Sequence, residues 1–457
     1  MNRNPEWIRN IWSEFSNTRV VMMPAVLVGI YFIVGLTANT LTDFFENAWG
    51  WSLAIAGLLL FFWGAKITSE AVIAEMNNRT WSQQRLSQIT PLEMTIGKLF
   101  GSSVYPWYGA LISLSVALVC VFFLPEPFVK LRLMVNLILI GILTQSLTLN
   151  FSLMGVKKNR DNEKLNSGFY YIFTIIIGMF FFSVGANVMD DFNVTMRWFY
   201  FEVSTINFSL YTLVFFTVWS VVGAYQNMRT ELQYTNGTTL WYLFLGTTMV
   251  YLAGVTVGLN EKPDESNLLL ALYTMGALGV AIYYYLLFNE SKNLSDLRRM
   301  LQMVKMFDKK ALSFTAPLFL ITFPVIVFLG LAAVGYHAFL LATWDSPDSS
   351  VHDLSFIYPI SILLFMLRDT AIIFFQNIQR KAERADVSTL VYLMLLYGLL
   401  PALLHATEIG WLAYLFYPHP EAHPLILMLS PLIQFVMVYF LLQRSWFRAN
   451  DEIVEAD

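Results

Sequence analysis

The stretch VVMMPAVLVGIYFIVGLTA, residues 20–38, runs for nineteen positions without a charged side chain. A bilayer's hydrocarbon core is about 30 Å thick and takes about 20 such residues as one helix, because a helix satisfies every backbone N–H and C=O where no water reaches. Eleven further stretches of this kind follow, at about 49–67, 96–124, 131–155, 168–188, 205–224, 239–258, 267–288, 314–334, 355–377, 389–407 and 424–443. None alternates with period two, which argues against a β-barrel. The expected fold is an all-α polytopic membrane helix bundle of about twelve transmembrane helices. Composition agrees, with 57% hydrophobic, 16% aromatic and only 13% charged residues and a mean hydropathy of +0.57.

Upstream, residues 1–19 alternate charges with aromatics and lack the apolar core and small-residue site of a secretory signal, so the segment is expected to be retained. Asn4 can cap a helix that Pro5 opens, and Trp7, Ile8, Ile11, Trp12 and Phe15 recur at helical spacing. The expectation is an amphipathic helix in the headgroup layer, the alternative being a helix docked on the protein's own surface. Downstream, the connections orient the bundle. With the N-terminus inside, 24 of the 28 Lys and Arg residues fall on inner segments, and only Lys130, Arg132, Arg197 and Lys262 fall outside. That bias is the positive-inside rule, and it puts both termini in the cytoplasm of a multi-pass protein of the cell membrane, a bacterial inner membrane by expectation. The chain then reads as residues 1–19, a six-helix half over 20–230 and a second over 231–457. Each half carries an inner amphipathic segment after its second helix, at 69–95 and 289–313. A net charge of −4 offers no general attraction for nucleic acid, and the single Cys120 excludes an internal disulfide and any zinc or iron–sulfur site built on several cysteines.

The polar connection between the second and third helices is the most informative. Thr80 with Gln83 and Thr90 with Glu93 each have capping-box spacing, the second with Pro91 at the first helical position. A short rigid element is expected there, attached to a helix that begins near Lys98. The string Glu75, Arg79-Thr80-Trp81, Gln84-Arg85-Leu86-Ser87, Pro91 and Gly97-Lys98-Leu99-Phe100-Gly101 resembles the permease subunits of type-2 ATP-binding-cassette exporters. The resemblance covers about a hundred N-terminal residues by topology and about thirty by motif. It implies an N-terminal elbow helix and a cytoplasmic coupling helix that docks on a separate ATP-binding-cassette ATPase subunit. It also implies that Trp81, Gln84 and Arg85 meet that partner, with Glu75 and Arg79 at the hinge. Family members commonly have six helices per chain and work in pairs, whereas this chain has about twelve, so a fused pair and a homodimer around one ATPase pair both stay open. The second half lacks the Thr-Trp-x-x-Gln-Arg string. Its candidate lever carries Arg298, Arg299 and Lys305, which equally suit anionic membrane lipids.

No phosphate-cradling loop exists in the chain: Gly97-Lys98 has no glycine five residues before it and Leu99 follows. ATP is therefore expected to be hydrolysed in a partner subunit, with no cofactor, no metal and no catalytic residue in this chain. His419 and His423, flanked by prolines, are expected to be incidental. Arg368-Asp369 is the one adjacent charge pair at membrane depth, read either as an arginine snorkelling to the inner interface, the preferred reading, or as a buried pair that gates a pathway. Gln145, Asn150 and Asn207 either line a path or bond across helices. The function expected is that of a membrane-spanning permease of an ATP-driven exporter or flippase. The competing classes are an ion-coupled secondary transporter and a non-transporting membrane scaffold.

Overall fold

The computed structural model describes residues 4–158, 167–187, 195–259, 265–290, 316–343, 355–378, 385–407, 409–420 and 422–454, with 298, 302 and 306. The chain is an all-α polytopic helix bundle: among the described residues eleven helices are long and apolar enough to cross a membrane, and a shorter apolar run, Tyr170–Ser183, lies in the helix between the fourth and fifth of them. By contacts the chain forms two compact units, Met1–Met196 with Glu202–Asn236, and Arg197–Phe201 with Gly237–Asp457.

In the first unit, α1 (Pro5–Glu14) starts at Asn4, whose side chain accepts from the Glu6 and Trp7 amides, and α2 (Asn17–Thr37) follows. The next helix is longer than its apolar stretch. It runs as α3 (Leu41–Gly57), a π-helical segment (Leu58–Gly64) and α4 (Ala65–Asn77) without a break, so the connection expected from residue 69 is still helix to residue 77. Then come two short helices, α5 (Trp81–Arg85) and α6 (Pro91–Ile96), a second π-helical segment (Gly97–Gly101), α7 (Val104–Val121), α8 (Pro127–Lys158), α9 (Ser167–Asn187) and α10 (Thr205–Glu231). A π-turn loosens the regular ladder and leaves carbonyls for outside donors. Gln145 of α8 takes this role for the first one. Its Nε2 donates to the Leu60 carbonyl at 2.9 Å, and its Oε1 accepts from Ser103 Oγ at 3.1 Å and Trp107 Nε1 at 3.0 Å. A methyl group at Gly64 would sit 2.3 Å from that Nε2, so glycine is what lets the amide in. Asn150 donates to the Ser220 carbonyl at 2.7 Å and accepts from Asn227 at 2.9 Å, joining α8 to α10. Gln145 and Asn150 thus bond across helices, and Asn207 is half-buried on α10.

A two-stranded hairpin, β1 (Thr195–Trp198) and β2 (Phe201–Ser204), precedes α10 and interrupts the otherwise helical chain. Its tip belongs to the second unit with α11 (Thr239–Gly258). The Phe199 amide donates to the Gly254 carbonyl at 2.7 Å and Trp198 Nε1 to the Tyr251 carbonyl at 3.2 Å. Gly254 and Gly258, four apart, make the groove that accepts this tip: a Cβ on Gly254 would meet Trp198 Nε1 at 2.1 Å, and one on Gly258 the Arg197 carbonyl oxygen at 2.0 Å. The unit continues through α12 (Glu265–Asn289), α13 (Leu318–Thr343), α14 (Tyr358–Ile378), α15 (Ala385–Met394), a third π-helical segment (Leu395–Leu399), α16 (Leu400–His405), a 3-10 turn (Gly410–Leu415) and α17 (Pro424–Val454). Tyr283, Leu287, Phe319, Ile326, Met366 and Ile373 form the core that joins α12, α13 and α14. Pro24, Pro324 and Pro431 lie inside continuous helices.

Gly258→Ala should lower the stability of the purified protein by about 1–3 kcal/mol, because backbone has to move to admit the methyl group. Gly246→Ala, on the same helix with nothing within 4 Å of the added carbon, should be neutral or gain about 0.5–1 kcal/mol from helix propensity. Thermal unfolding in one detergent measures both.

Candidate functional site at the end of the second helix

Helix α4 ends in a Schellman turn made without glycine. Arg79 takes the left-handed conformation at φ 60°, its amide donates to the Met76 carbonyl at 3.0 Å, and the Thr80 amide donates to Glu75 at 2.9 Å. This turn lays α5 back against the bundle and overrides the first expected capping box. Thr80 sits in the helical region, makes no side-chain cap, and its hydroxyl donates to the Glu75 carbonyl at 3.2 Å. The second box forms as read. The Thr90 amide donates to Glu93 Oε2 at 3.0 Å and the Glu93 amide to Thr90 Oγ1 at 3.4 Å. Hydrogen bonds from the Thr90 hydroxyl and backbone hold the Glu93 carboxyl below its ordinary pKa.

Lys98 opens the third helix and is only 1% exposed. Its ammonium lies 2.8 Å from Glu6 Oε1 and in a short contact with Glu75 Oε2. Arg9 Nη2 reaches both carboxylates at 2.7 Å, and Gln84 Nε2 donates to Glu75 Oε1 at 2.6 Å. Two acids and two bases therefore neutralise one another where α1, α4, α5 and the Gly97–Gly101 segment meet. Gly97 and Gly101 form the seat for α1: a Cβ on Gly97 would lie 2.4 Å from Glu6 Cγ, and one on Gly101 3.0 Å from Asn10 Nδ2. Asn10 donates to the Gly97 carbonyl at 3.2 Å, and Asn4 to that of Glu93 at 2.7 Å. The amphipathic N-terminal helix thus docks on its own chain through its polar side, with Glu6 buried and Trp12 exposed.

Of the residues singled out in the sequence, Glu75, Trp81 and Gln84 come together here. Trp81 corrects its expected role. It is 2% exposed and packs in a core with Val72, Ile73, Met94, Leu99, Leu149 and Met228, with the Lys98 ammonium 5.9 Å from its ring, so it cannot offer a face to a partner. Outside lie Arg79, exposed, Arg85, half-buried, and Leu86, 87% exposed. Among the described residues neither arginine is in an ion pair. Glu6 and Arg9 carry no local signal of this site, and Lys98 reads in the sequence only as the start of the third helix, because their partners are distant along the chain. The Gly97-x-x-x-Gly101 spacing was the readable sign of a close approach.

In the second unit Arg368 does not snorkel. It lies midway along the 21-residue α14 and is 1% exposed, beside the buried Asp369. The helix continues without a break to Ile378. Arg298 is helical and half-buried, while Arg299 and Lys305 lie outside the described residues. His419 stacks on Tyr414 at 4.5 Å, and His423 Nδ1 accepts the Leu425 amide at 3.3 Å. No protein-family model, no curated protein and no solved structure matches the chain.

Lys98→Met would leave Glu6 and Glu75 facing each other with Arg9 alone, and should cost about 3–5 kcal/mol, the usual cost of breaking a buried ion pair on one side. Limited proteolysis should then release α1, which in the parent chain is protected. Acidification tests the intact cap. A depressed carboxyl contributes stability above the ordinary glutamate range and loses it as pH falls through the lowered value, so the protection factor of the Thr90 amide, which donates to that carboxylate, should drop there. Glu93→Gln should show no such step.

Proposed function

We propose that this chain is the membrane-spanning permease of an ATP-driven exporter or flippase, powered by a separate ATP-binding-cassette ATPase chain. The observation that carries the reading is the braced tip after the second helix. Arg79, Arg85 and Leu86 are offered outward by a turn whose root, through Glu75, Gln84 and Lys98, is fixed to α1, α4 and the start of the third helix. Arginine is enriched at protein interfaces and their hot spots, and the exposed leucine beside it adds apolar area that a partner can bury. In this reading the partner grips the tip, ATP binding draws the partner's domains together, and the stub passes that movement into several helices at once. An exporter of this kind also accounts for a chain with no Walker loop of its own.

The ion-coupled alternative requires a titratable acid free to exchange its ion at depth. Asp369 has the depth, but Arg368 already neutralises it, which favours the ATP-driven reading.

Replacing Arg85 by Glu together with Leu86 by Asp should reduce co-purification of an ATPase chain by at least about tenfold, the loss of one modest hot spot. The variant should keep the parent's melting temperature, since both side chains lie outside the core. An ATPase carrying Walker motifs must be identified in the parent pull-down by mass spectrometry. Equal retention by parent and variant, or no such ATPase with the parent, defeats the reading.

A further inference from the structure

Docking through Glu6, Asn10 and the two glycines leaves one flank of α1 facing the opening of the third helix across a groove of about 320 Å3. Trp7 and Phe15 form its wall on α1, Phe100 its end, and Val104, Trp107, Tyr108 and Leu111 its wall on α7. The α7 residues recur at spacing three and four, so they mark one face of that helix for two turns, about 10 Å. Aromatic rings line the groove without filling it: Trp7 and Phe100 are 6.4 Å apart, Phe100 and Trp107 5.8 Å, and Phe15 and Tyr108 5.4 Å.

The α7 wall has no donor to offer an occupant. Trp107 Nε1 is spent on Gln145 Oε1 at 3.0 Å, and the Tyr108 hydroxyl donates to the Val20 carbonyl at 3.2 Å. A polar group placed against it would lose water and gain nothing. A helix from a second copy, about 10 Å across with its side chains, is too thick for the space. One hydrocarbon chain is not. Since α7 is long and apolar enough to cross the membrane, such chains are what surrounds this face.

The head group follows from the charges beside the groove. Tyr105, packed on Phe15 at 6.4 Å, donates to the Arg19 carbonyl at 3.3 Å, and the Arg19 guanidinium carbon lies 5.8 Å from its ring centre. Arg19 is exposed and pairs through Nη1 with Oε2 of the half-buried Glu14 at 2.7 Å. Nε and Nη2 of the arginine and Oε1 of the glutamate have no hydrogen-bond partner among the described residues. Unspent donors and an anionic acceptor therefore stand side by side in the first turn of α2 and at the end of α1. A phosphate suits the donors, and an ammonium carrying N–H bonds suits the acceptor. A choline head has no N–H to give Glu14, and a glycerol head has no positive charge. We propose that this groove holds one acyl chain of a phospholipid with a phosphoethanolamine head, its phosphate on Arg19 and its ammonium on Glu14. The assignment concerns α1 and the bilayer and does not depend on an ATPase partner.

The test uses the full-length protein in phosphatidylcholine nanodiscs with three phospholipid probes. Their acyl chains are identical and carry a diazirine, and their heads are ethanolamine, choline or glycerol. The ethanolamine probe should label the peptide spanning residues 104–111 at least about threefold more than either other probe, the size expected of one exposed charge contact. Phe328 and Leu331, exposed on α13, should be labelled alike by all three. Arg19→Gln with Glu14→Gln should bring the three heads to one level at residues 104–111. Val104→Trp, which fills the groove, should remove the labelling there and leave that on α13. Equal labelling of 104–111 by the three probes in the parent protein overturns the proposal, as does labelling there no stronger than on α13. A groove closed by a second copy would be labelled by none of them, which also overturns it. The parent comparison decides the matter even if a variant does not fold.

Discussion

The Lys98 ammonium is held away from water by two carboxylates that come from opposite ends of the first unit's inner architecture, Glu6 on α1 and Glu75 near the end of α4. A buried ion pair of this kind adds little stability over well-packed apolar residues, but it is intolerant of separation, because either partner alone leaves an uncompensated charge. The geometry extends this intolerance to four elements. Arg9 binds both acids and Gln84 binds one of them, so α1, α4, α5 and the opening turn of the third helix cannot shift independently without exposing charge to an apolar interior. Trp81 adds the apolar half of the same joint by filling the space between α4, α6, α8 and α10. The tip beyond them is free of such ties, with Arg79 and Leu86 exposed and Arg85 half-buried. Force applied at that tip would be distributed over several helices rather than absorbed by one flexible loop.

Close backbone approach is the second device, and each unit uses it separately. Gly97 and Gly101 receive α1, while Gly254 and Gly258 receive the tip of the hairpin. Where lipid rather than water surrounds the helices, removing side chains at spacing four is the direct way to bring backbone carbonyls within reach of donors from another element. Asn10 bonding to Gly97 and the Phe199 amide bonding to Gly254 are instances of this.

The membrane helices were legible because hydropathy over some twenty residues is a cumulative signal that no single substitution obscures. The fine structure was not, for identifiable reasons. The second helix ends at Asn77 rather than at about residue 67 because polar residues are equally compatible with a helix leaving the membrane and with a loop. The Thr80 box failed because Arg79 adopted a left-handed turn that local sequence rules assign to glycine or asparagine. Trp81 in a polar stretch carries the same signal whether it faces a partner or the chain's own core, and only the packing of α8 and α10 decides. The hairpin turn Phe199–Tyr200 has none of the Asn-Gly or Gly-rich signature that marks two-residue loops. Arg368-Asp369 was visible as a pair, but its depth depended on knowing that α14 continues to Ile378.

The buried polar nodes of the two units meet the same requirement by different means. Gln145 in the first unit has its amide donating to Leu60 and its carbonyl oxygen accepting from Ser103 and Trp107. With these bonds made inside the protein, a ligand has little to gain there, and the node works as a lock between α8 and the helices around it. Arg368 in the second unit is surrounded just as closely, by Asp369, Gln434, the Phe416 carbonyl and two aromatic rings, with its Nη2 2.7 Å from Asp369 Oδ1. An uncharged amide needs only partners for its hydrogen bonds, whereas a guanidinium midway along an apolar helix also needs an opposite charge, which is why Arg368 sits beside Asp369 and Gln145 has no acid.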